Sequence, residues 1–246
     1  MQALKSRVRQ ILNPIAKRLG YIPQRERDPF LSLRLEMTLR RVFKRDLPIQ
    51  TVIDVGAAIG EWTDKVHAIL PNANYLLIEA NDYHEDALKQ YVARTPNSQF
   101  ALVAASDQDG SIYFDNRDPF GGVAAHDAQS NYVELPARSI DSLIEEYQLP
   151  EPYLLKLDTH GFEVPILEGA NKTLEKTNLL IIEAYNFQIQ DDSLLFYELC
   201  RYMREKGFRV ADFSEPLHRK YDQMLWQMDI FFIKEERPEF EAKQYS

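Results

Sequence analysis

A buried strand that runs directly into a two-glycine turn is the feature that most limits how this chain can fold. Residues 51–60 read Thr-Val-Ile-Asp-Val-Gly-Ala-Ala-Ile-Gly, which places Gly56 and Gly60 four positions apart. Such a run is typical of a buried strand, and glycine lets the backbone turn sharply beside a ligand. The spacing differs from the G-x-G-x-x-G of dinucleotide-binding proteins. The segment predicts a strand–turn–helix unit with a ligand site at the carboxyl end of the strand.

The rest of the chain alternates short apolar runs with helical stretches. Strands are predicted at residues 51–55, 75–78, 100–104, 153–157, 179–182, 208–210 and 230–233, with edge strands or a hairpin at 112–114 and 132–135. Helices are predicted at residues 60–70, 82–94, 164–176 and 193–206. This alternation indicates an α/β fold, in which a mostly parallel sheet carries helices on both faces.

Composition excludes several classes of protein. The chain of 246 residues is 45% hydrophobic and 27% charged, which is typical of a globular protein. No run approaches the roughly 18 apolar residues of a membrane span, and the N-terminus lacks a secretory signal pattern. Cys200 is the only cysteine, which excludes an internal disulfide and a cysteine-based metal site. His67 and His126 have no partner at metal-ligand spacing. We expect a cytoplasmic protein with no metal site.

Charge is distributed unevenly along the chain. The net charge of −9 divides into +6 for residues 1–27 and −15 for the remainder. An acidic body repels a phosphate backbone, so nucleic acid is a poor candidate partner. We place a basic helical segment at residues 1–47 and the main domain at 48–246. Two short helices within residues 1–20 suit a peripheral contact with the inner membrane surface, or docking on the domain itself or on a second subunit of a homo-oligomer. We favour docking.

Polar side chains follow three of the predicted strands. Asp54 lies two residues before the glycine turn, where a carboxylate suits a ligand with a positive amino or sulfonium group. Glu79 ends the next strand, about 19 residues past Gly60, where an acid can accept hydrogen bonds from both ribose hydroxyls. Ser106 and Asp107 follow the third strand and can meet an adenine edge. Each has a simpler interpretation, as a cap, a loop acid or a turn, but their common spacing favours a nucleoside ligand.

Three titratable side chains follow the fourth strand. Asp158, His160 and Glu163 come directly after the apolar residues 153–157. Ligands of open α/β sheets lie outside the carboxyl ends of the strands, so these groups are predicted to face the same crevice as Glu79. They are suited to orienting or deprotonating an acceptor hydroxyl. The alternatives are a turn cap, a surface histidine and an acid at a helix N-terminus.

Taken together, these motifs resemble the FkbM-type methyltransferase family over roughly residues 48–235. The matching stretches are Ile53-Asp-Val-Gly-Ala-Ala-Ile-Gly-Glu-Trp-Thr63, Ile78-Glu-Ala80, Ala104-Ala-Ser-Asp107 with Gly110, Arg138-Ser-Ile-Asp-Ser-Leu143, Leu155-Lys-Leu-Asp-Thr-His-Gly-Phe-Glu163, Leu167-Glu-Gly-Ala170, Ile182-Glu183 and Asp229-Ile-Phe-Phe232. Each motif alone is modest, but their order and spacing are specific. Two positions depart from the family: Ala58 stands where Asn is common, and His160 stands where Glu or Gln is common.

The resemblance implies a Rossmann-like class I methyltransferase sheet of seven strands, with the last strand antiparallel. It also implies S-adenosylmethionine as cofactor and O-methylation of a hydroxyl on a sugar, glycan or secondary metabolite. The cofactor residues would be Asp54, Gly56, Ala57 and Gly60 at the methionine part, Glu79 and Ala80 at the ribose, Ser106 and Asp107 at the adenine, and Asp158 between cofactor and acceptor.

Methyl transfer from a sulfonium is an in-line displacement, so positioning of the acceptor oxygen supplies much of the catalysis. We predict His160 as the general base, with Asp158 orienting it and Glu163 as the alternative base. Tyr185, Asn186 and Phe187 are predicted to line the acceptor pocket with the 120–122 loop. Two other functions remain: an NAD(P)-dependent oxidoreductase, and a non-catalytic binding module that acts in glycan assembly.

Overall fold

The computed structural model describes residues 31–244. The predicted helices within residues 1–20, and the contact predicted for residues 1–27, lie outside the described residues. Among the helices of residues 31–244, none is long and apolar enough to cross a membrane.

Two sheets organise this part of the chain, and their strands are numbered in chain order. They are β1 (Thr51–Val55), β2 (Asn74–Glu79), β3 (Ser98–Leu102), β4 (Ala104–Ser106), β5 (Gly110–Asp115), β6 (Val123–Ala125), β7 (Val133–Ser139), β8 (Tyr153–Leu157), β9 (Thr177–Tyr185), β10 (Phe208–His218) and β11 (Leu225–Lys234). The larger sheet has the order β10-β11-β9-β8-β1-β2-β3. Only β11 runs antiparallel to the other six strands of this sheet. The predicted seven-stranded sheet with an antiparallel last strand is confirmed.

Helices cover both faces of the larger sheet, as predicted. They are α1 (Leu35–Val42), α2 (Glu61–His67), α3 (Glu85–Arg94), α4 (Ile140–Tyr147), α5 (Glu163–Glu168), α6 (Asn171–Glu175) and α7 (Phe196–Glu205). Helices α1 to α3 share one buried core with Val52 and Leu77, whereas α4 to α7 share the other with Ile53 and Val55. Successive residues of a strand point to opposite faces, so β1 contributes to both cores and is fully buried.

The predicted strand at 100–104 is divided between the two sheets. Strand β3 ends at Leu102 in the larger sheet, and β4 begins at Ala104 in the smaller sheet, whose order is β4-β7-β5-β6. The run from Phe100 to Ala104 is apolar throughout, so its sequence pattern carries no signal for such a switch. Strand β5 of the smaller sheet and the loop that follows it carry Phe114, Phe120 and Gly122 to the carboxyl ends of β1, β2 and β8, where they line a cavity.

The predicted helix at 164–176 consists of two shorter helices, α5 and α6, separated by Gly169 and Ala170. Gly169 packs against strand β4, and a Cβ at this position would lie 2.1 Å from the backbone oxygen of Ser106. Helical periodicity continues across the break, so the sequence pattern alone predicts one helix. A contact distant in sequence determines where α5 ends.

Helix α1, which the predicted boundary assigns to the N-terminal segment, packs directly on the larger sheet. Leu35, Leu39 and Val42 are buried in the core shared with α2 and α3. Arg41 forms an ion pair with Asp212 on β10 at 3.0 Å. The described part of the N-terminal segment is therefore continuous with the core of the domain.

Candidate active site

A cavity of about 340 Å³, called the main cavity below, opens at the carboxyl ends of β1, β2 and β8. The smaller sheet closes its other side through Phe114, Phe120 and Gly122. Glu79 and Asp158 lie on its wall at the tips of two strands. Ligands of open α/β sheets bind at this edge, which makes the main cavity the candidate active site.

The glycine turn after β1 brings the backbone close to β8. Gly56 has a φ of +76°, and a Cβ there would lie 2.0 Å from the backbone oxygen of Asp158. At Gly60, with a φ of +84°, a Cβ would enter the ring of Tyr91. Ala58 has a φ of +46° although it is not glycine. Asn adopts this region more readily than Ala, which gives a physical reason for Asn being common at this position in the family.

Glu79 is held in place at the rim of the main cavity. One oxygen, Oε2, accepts a hydrogen bond from the Ala58 backbone N–H at 2.8 Å, and Oε1 accepts one from the Asn81 N–H at 2.8 Å. Burial raises the pKa of Glu79, and the two backbone donors partly oppose that shift. Each carboxylate oxygen has a further lone pair. Glu79 can therefore accept hydrogen bonds from the two hydroxyls of a ribose, as the sequence predicts.

Asn81, which is not among the site residues predicted from the sequence, also lines the main cavity. Its Oδ1 accepts a hydrogen bond from the Tyr83 N–H at 3.1 Å, which fixes the orientation of the amide. Its Nδ2 is buried and has no acceptor among the described residues. A ligand in the main cavity would supply that acceptor. The only sequence signal was its position two residues after Glu79.

Asp54 lies below the main cavity rather than on its wall. The side chain is 1% exposed, accepts a hydrogen bond from the Thr63 hydroxyl, and lies 3.2 Å from Nζ of Lys156. Lys156 also contacts the carboxylate of Asp158 at 3.1 Å. Burial opposes the charge of Lys156, but the neighbouring carboxylates raise its pKa above the ordinary value. The structure thus places Asp54 where it holds Lys156, in direct contact with Asp158.

Asp158, His160 and Glu183 converge where the main cavity meets β9. Nε2 of His160 lies 3.6 Å from Asp158 Oδ1 and 3.9 Å from Glu183 Oε2. Glu183 accepts hydrogen bonds from the Tyr185 hydroxyl and the Gln227 amide. Burial, together with the nearby charge of Asp158, raises the pKa of Glu183 to about 9. At neutral pH, Glu183 is therefore protonated.

Burial works against ionisation of Asp158, but Lys156 and His160 outweigh it and hold the pKa of Asp158 below its ordinary value. Asp158 therefore keeps its negative charge beside protonated Glu183. Glu183 has no role predicted from the sequence, although an acid directly after the apolar residues 179–182 of β9 is a detectable signal. The same signal, a charged residue inside a buried strand, marks Lys156.

The tautomer of His160 follows from its contacts. Nδ1 lies 3.2 Å from the backbone oxygen of Gly122, and a carbonyl oxygen only accepts hydrogen bonds. Nδ1 therefore carries a proton and Nε2 faces the two carboxyl groups. His160 has a φ of +51°, a strained conformation, and Gln190 donates a hydrogen bond to its carbonyl oxygen. The contact with Gly122 orients the ring, and the contact with Gln190 holds the backbone of His160.

The raised pKa of Glu183 gives a prediction about stability. The pKa rises from 4.5 to about 9 on folding, so between these values the folded chain binds more protons than the unfolded chain. Stability of the parent is lost as the pH rises through this window. Gln at this position cannot ionise. We expect the stability advantage of Glu183→Gln over the parent to grow by on the order of 1 kcal/mol per pH unit up to about pH 9, measured by urea unfolding. If the free energy of unfolding changes with pH in the same way for both proteins, this prediction is wrong.

The remaining predicted residues have varied placements. Ala80 lines the main cavity, whereas Ala57 is buried beside the turn. The hydroxyl of Ser106 donates a hydrogen bond to Asp107 at 2.9 Å. Neither Ser106 nor Asp107 is among the lining residues of the cavity, although Ala104 and Ala105 just before them are.

Glu163 stabilises the turn after β8. It is 7% exposed, and its Oε1 accepts hydrogen bonds from the Gly161 N–H at 3.0 Å and the Thr159 hydroxyl at 3.2 Å. Burial raises the pKa of Glu163. The side chain is not among the lining residues of the main cavity, so the geometry favours His160 over Glu163 as a base.

Phe120 and Gly122 line the main cavity from the smaller sheet. Tyr185 is buried and lies beside His160, with 6.5 Å between ring centroids. Phe187 stacks on Trp226 at 5.3 Å, and the backbone N–H of Asn186 donates a hydrogen bond to the Trp226 carbonyl. The residues after β9 thus form an aromatic surface next to the group of Asp158, His160 and Glu183.

The described residues bring together three potential metal-ligand atoms, one each from Asp158, His160 and Glu183, within 4.8 Å of one another. The ammonium of Lys156 already neutralises Asp158 at 3.1 Å. We therefore describe the group as a proton and hydrogen-bond network.

The strand order, the antiparallel last strand and the acid at the tip of β2 together define a class I methyltransferase fold. The profile of the methyltransferase FkbM domain matches residues 49–210. The chain belongs to the FkbM methyltransferase family.

Similar proteins include the hexuronic acid methyltransferase AglP of Haloferax volcanii, which is 27% identical over 63% of this chain and 64% of the relative. A solved FkbM methyltransferase from Methylobacillus flagellatus is 18% identical, with a TM-score of 0.49, over 74% of this chain and 43% of that one. Magnesium protoporphyrin IX methyltransferase from Synechocystis has a TM-score of 0.45 and 10% identity, over 87% of this chain and 85% of that one. The matches to the first two therefore span less than two thirds of those proteins.

Proposed function

We propose that this protein is an S-adenosylmethionine-dependent methyltransferase that transfers a methyl group to a hydroxyl of a sugar. The proposal rests on one observation: a site for a ribose and a candidate base for a hydroxyl lie in the same cavity. Glu79, suited to a ribose, lies at one end, and the histidine–carboxyl group of Asp158, His160 and Glu183 lies at the other. Family membership supports the transferase class, and nothing supports the alternative of an oxidoreductase.

The residues present fit the nucleoside part of the cofactor. The cradle at Gly56 is closed to any side chain, because a Cβ there would meet the Asp158 carbonyl. Apolar walls from Phe114, Phe120, Phe162 and Ile166 suit a base, and Glu79 suits the ribose hydroxyls. When bound, the cofactor supplies an activated methyl group.

The roles of the chain's own residues follow from their geometry. His160 donates its Nδ1–H to Gly122, which leaves Nε2 as the acceptor for the proton of a substrate hydroxyl. Asp158 remains charged and stabilises the imidazolium that results. Glu183 stays protonated and therefore does not compete for that proton. Positioning contributes most of the rate, and a base adds roughly 10²–10⁴-fold.

The acceptor class rests on two supports. The curated relative is named as a hexuronic acid methyltransferase. In this chain, the stacked rings of Phe187 and Trp226 lie next to Tyr185 and offer an aromatic face, with the Arg219 guanidinium 3.9 Å above Phe187. Aromatic faces pack well against the C–H surface of a sugar ring. We therefore propose a sugar, free or within a glycan, as the acceptor.

Replacing His160 by alanine tests both the site and the reaction. With methyl-labelled cofactor and a panel of hexuronic acids and neutral sugars, we expect kcat to fall by about 100-fold. Affinity for S-adenosylhomocysteine should change by less than about threefold, because the base acts on the acceptor. His218→Ala, at an exposed histidine on β10, is the matched control.

Mild alkali then distinguishes methylation of a carboxylate from methylation of a hydroxyl, because the methyl ester is cleaved and the methyl ether is retained. Label retained by the sugar supports the proposal. A kcat within about threefold of the parent would remove His160 from the mechanism. Cofactor binding without turnover of any sugar would instead favour the non-catalytic binding module.

A further inference from the structure

A second cavity of about 210 Å³, called the side cavity, adjoins the main cavity. The two cavities share Asp158, Glu183 and Gln227. The side cavity lies on the face of the sheet that carries α1 and α2, since Leu35 and Trp62 line it. These three residues therefore lie between the two cavities, and a ligand that occupied both would pass Asp158.

The two cavities differ in charge. Among the described residues that line the main cavity are Glu79, Asp158, Glu183 and His160, with no lysine or arginine. The side cavity contains Lys65 and Lys156 together with Asp158, Glu183, Glu215 and Asp229. A ligand carboxylate in the main cavity would lie near Glu79 and would meet no lysine or arginine on the lining, which is unfavourable. A carboxylate in the side cavity would lie near Lys65 and Lys156.

Two donors of the side cavity have no partner among residues 31–244. Lys65 is exposed and makes no ion pair or hydrogen bond with the described residues. The indole N–H of Trp62 is buried without an acceptor in the same part of the chain. The two residues lie three positions apart on α2, so they share one face of the helix. Together they offer two donors to one anionic group.

Charges of both signs in one small cavity suit a zwitterion. If Glu183 is protonated, the side cavity has three carboxylates and two ammonium groups. Burial raises the pKa of Asp229 to about 6, so it is largely ionised at neutral pH. The lining then carries a net charge near −1, which complements a cofactor that bears a sulfonium, an ammonium and a carboxylate.

We propose that the side cavity binds the methionine end of the cofactor, with Lys65 and the Trp62 N–H holding its carboxylate and Asp158 and Asp229 facing its ammonium. This inference rests on the proposed function. It assigns the binding of the amino acid tail to Lys65 and Trp62, in addition to the glycine turn that the sequence predicts. Asp54, which the sequence analysis assigned to this part, is occupied by Lys156 and Thr63.

The test compares two ligands that differ only in the tail. S-adenosylhomocysteine has the amino acid end, whereas 5′-methylthioadenosine has the same nucleoside and lacks it. Binding of both is measured by calorimetry on the full chain. Trp62→Phe keeps an aromatic ring and removes the N–H. We expect it to lower the affinity for S-adenosylhomocysteine by about tenfold. Lys65→Met, at an exposed position, should weaken it by about threefold to fivefold. Neither change should alter 5′-methylthioadenosine by more than about twofold.

Matched controls are available in the chain. Tyr197→Phe removes a polar donor from an exposed aromatic residue on α7 that lines neither cavity. Lys89→Met changes an exposed lysine on α3 that pairs with Glu85. Both controls should bind the two ligands as the parent does. Thermal unfolding without ligand, measured for every variant, identifies any loss of affinity that comes from a loss of folded protein.

Each outcome decides the question. Weaker binding of S-adenosylhomocysteine, with unchanged binding of 5′-methylthioadenosine, supports the assignment. Equal weakening of both ligands, or of neither, overturns it, and an unchanged affinity combined with a raised KM for the sugar would make the side cavity the acceptor site. If the parent binds neither ligand, the proposed function itself fails, which is a different result.

Discussion

Replacing Lys156 by methionine should lower the free energy of unfolding by about 3–5 kcal/mol at pH 7. Lys156 is 3% exposed, and its ammonium contacts both Asp54 and Asp158. Without it, Asp54 remains as a buried carboxylate with only the Thr63 hydroxyl as partner. The folded state raises the pKa of Lys156, so its contribution is fully present below the unfolded pKa and is intact at pH 7.

Urea unfolding measures this loss, and two further variants identify its cause. Lys172→Met changes an exposed lysine on α6 and should be nearly neutral. Adding Asp54→Asn to Lys156→Met should recover part of the stability, because the uncompensated charge is then absent. A loss under about 1 kcal/mol at pH 7 would show that the buried ion pair does not hold the site together.

Replacing Gly56 by alanine should be at least as damaging, with an expected loss above about 4 kcal/mol and no cofactor binding. The new Cβ would lie 2.0 Å from the backbone oxygen of Asp158, and the two residues directly follow the paired strands β1 and β8. Neither backbone can move away without disturbing that pairing. The left-handed conformation at this residue adds about 1–2 kcal/mol.

Gly207 provides the control, because it has a similar φ of +83° and a Cβ there would meet no atom within 4 Å. Gly207→Ala therefore includes the conformational cost without the collision. Urea unfolding of both variants separates the two contributions. If Gly56→Ala costs no more than Gly207→Ala, the close approach of the turn to β8 is not what requires glycine.

Local patterns in the sequence predicted most of the larger sheet. The strand at 51–55 and the helix that follows the glycine turn lie where the apolar run and the glycines place them. The sequence did not predict how β3 and β4 divide at Val103, because neighbouring buried residues of two sheets look alike in a single apolar run. Strand β10, predicted at 208–210, extends to His218 because it pairs along β11.

The site shows the same division between local and long-range information. Glu79, Asp158 and His160 were chosen from their positions at strand ends, and the structure brings all three to one cavity. The pairing of Asp54 with Lys156 was not predictable, because it depends on the register in which these two residues are direct partners across β1 and β8. The role of Glu183 likewise depends on Asp158 and Gln227, which approach it from neighbouring strands.

Isothermal titration calorimetry of S-adenosylhomocysteine binding to the full chain tests the central claim most directly. We expect saturable binding at one site per chain, a matching rise in the unfolding temperature, and no heat from NAD⁺ or NADH under the same conditions. No saturable heat with S-adenosylhomocysteine, or equal binding of the nicotinamide cofactors, would contradict the account.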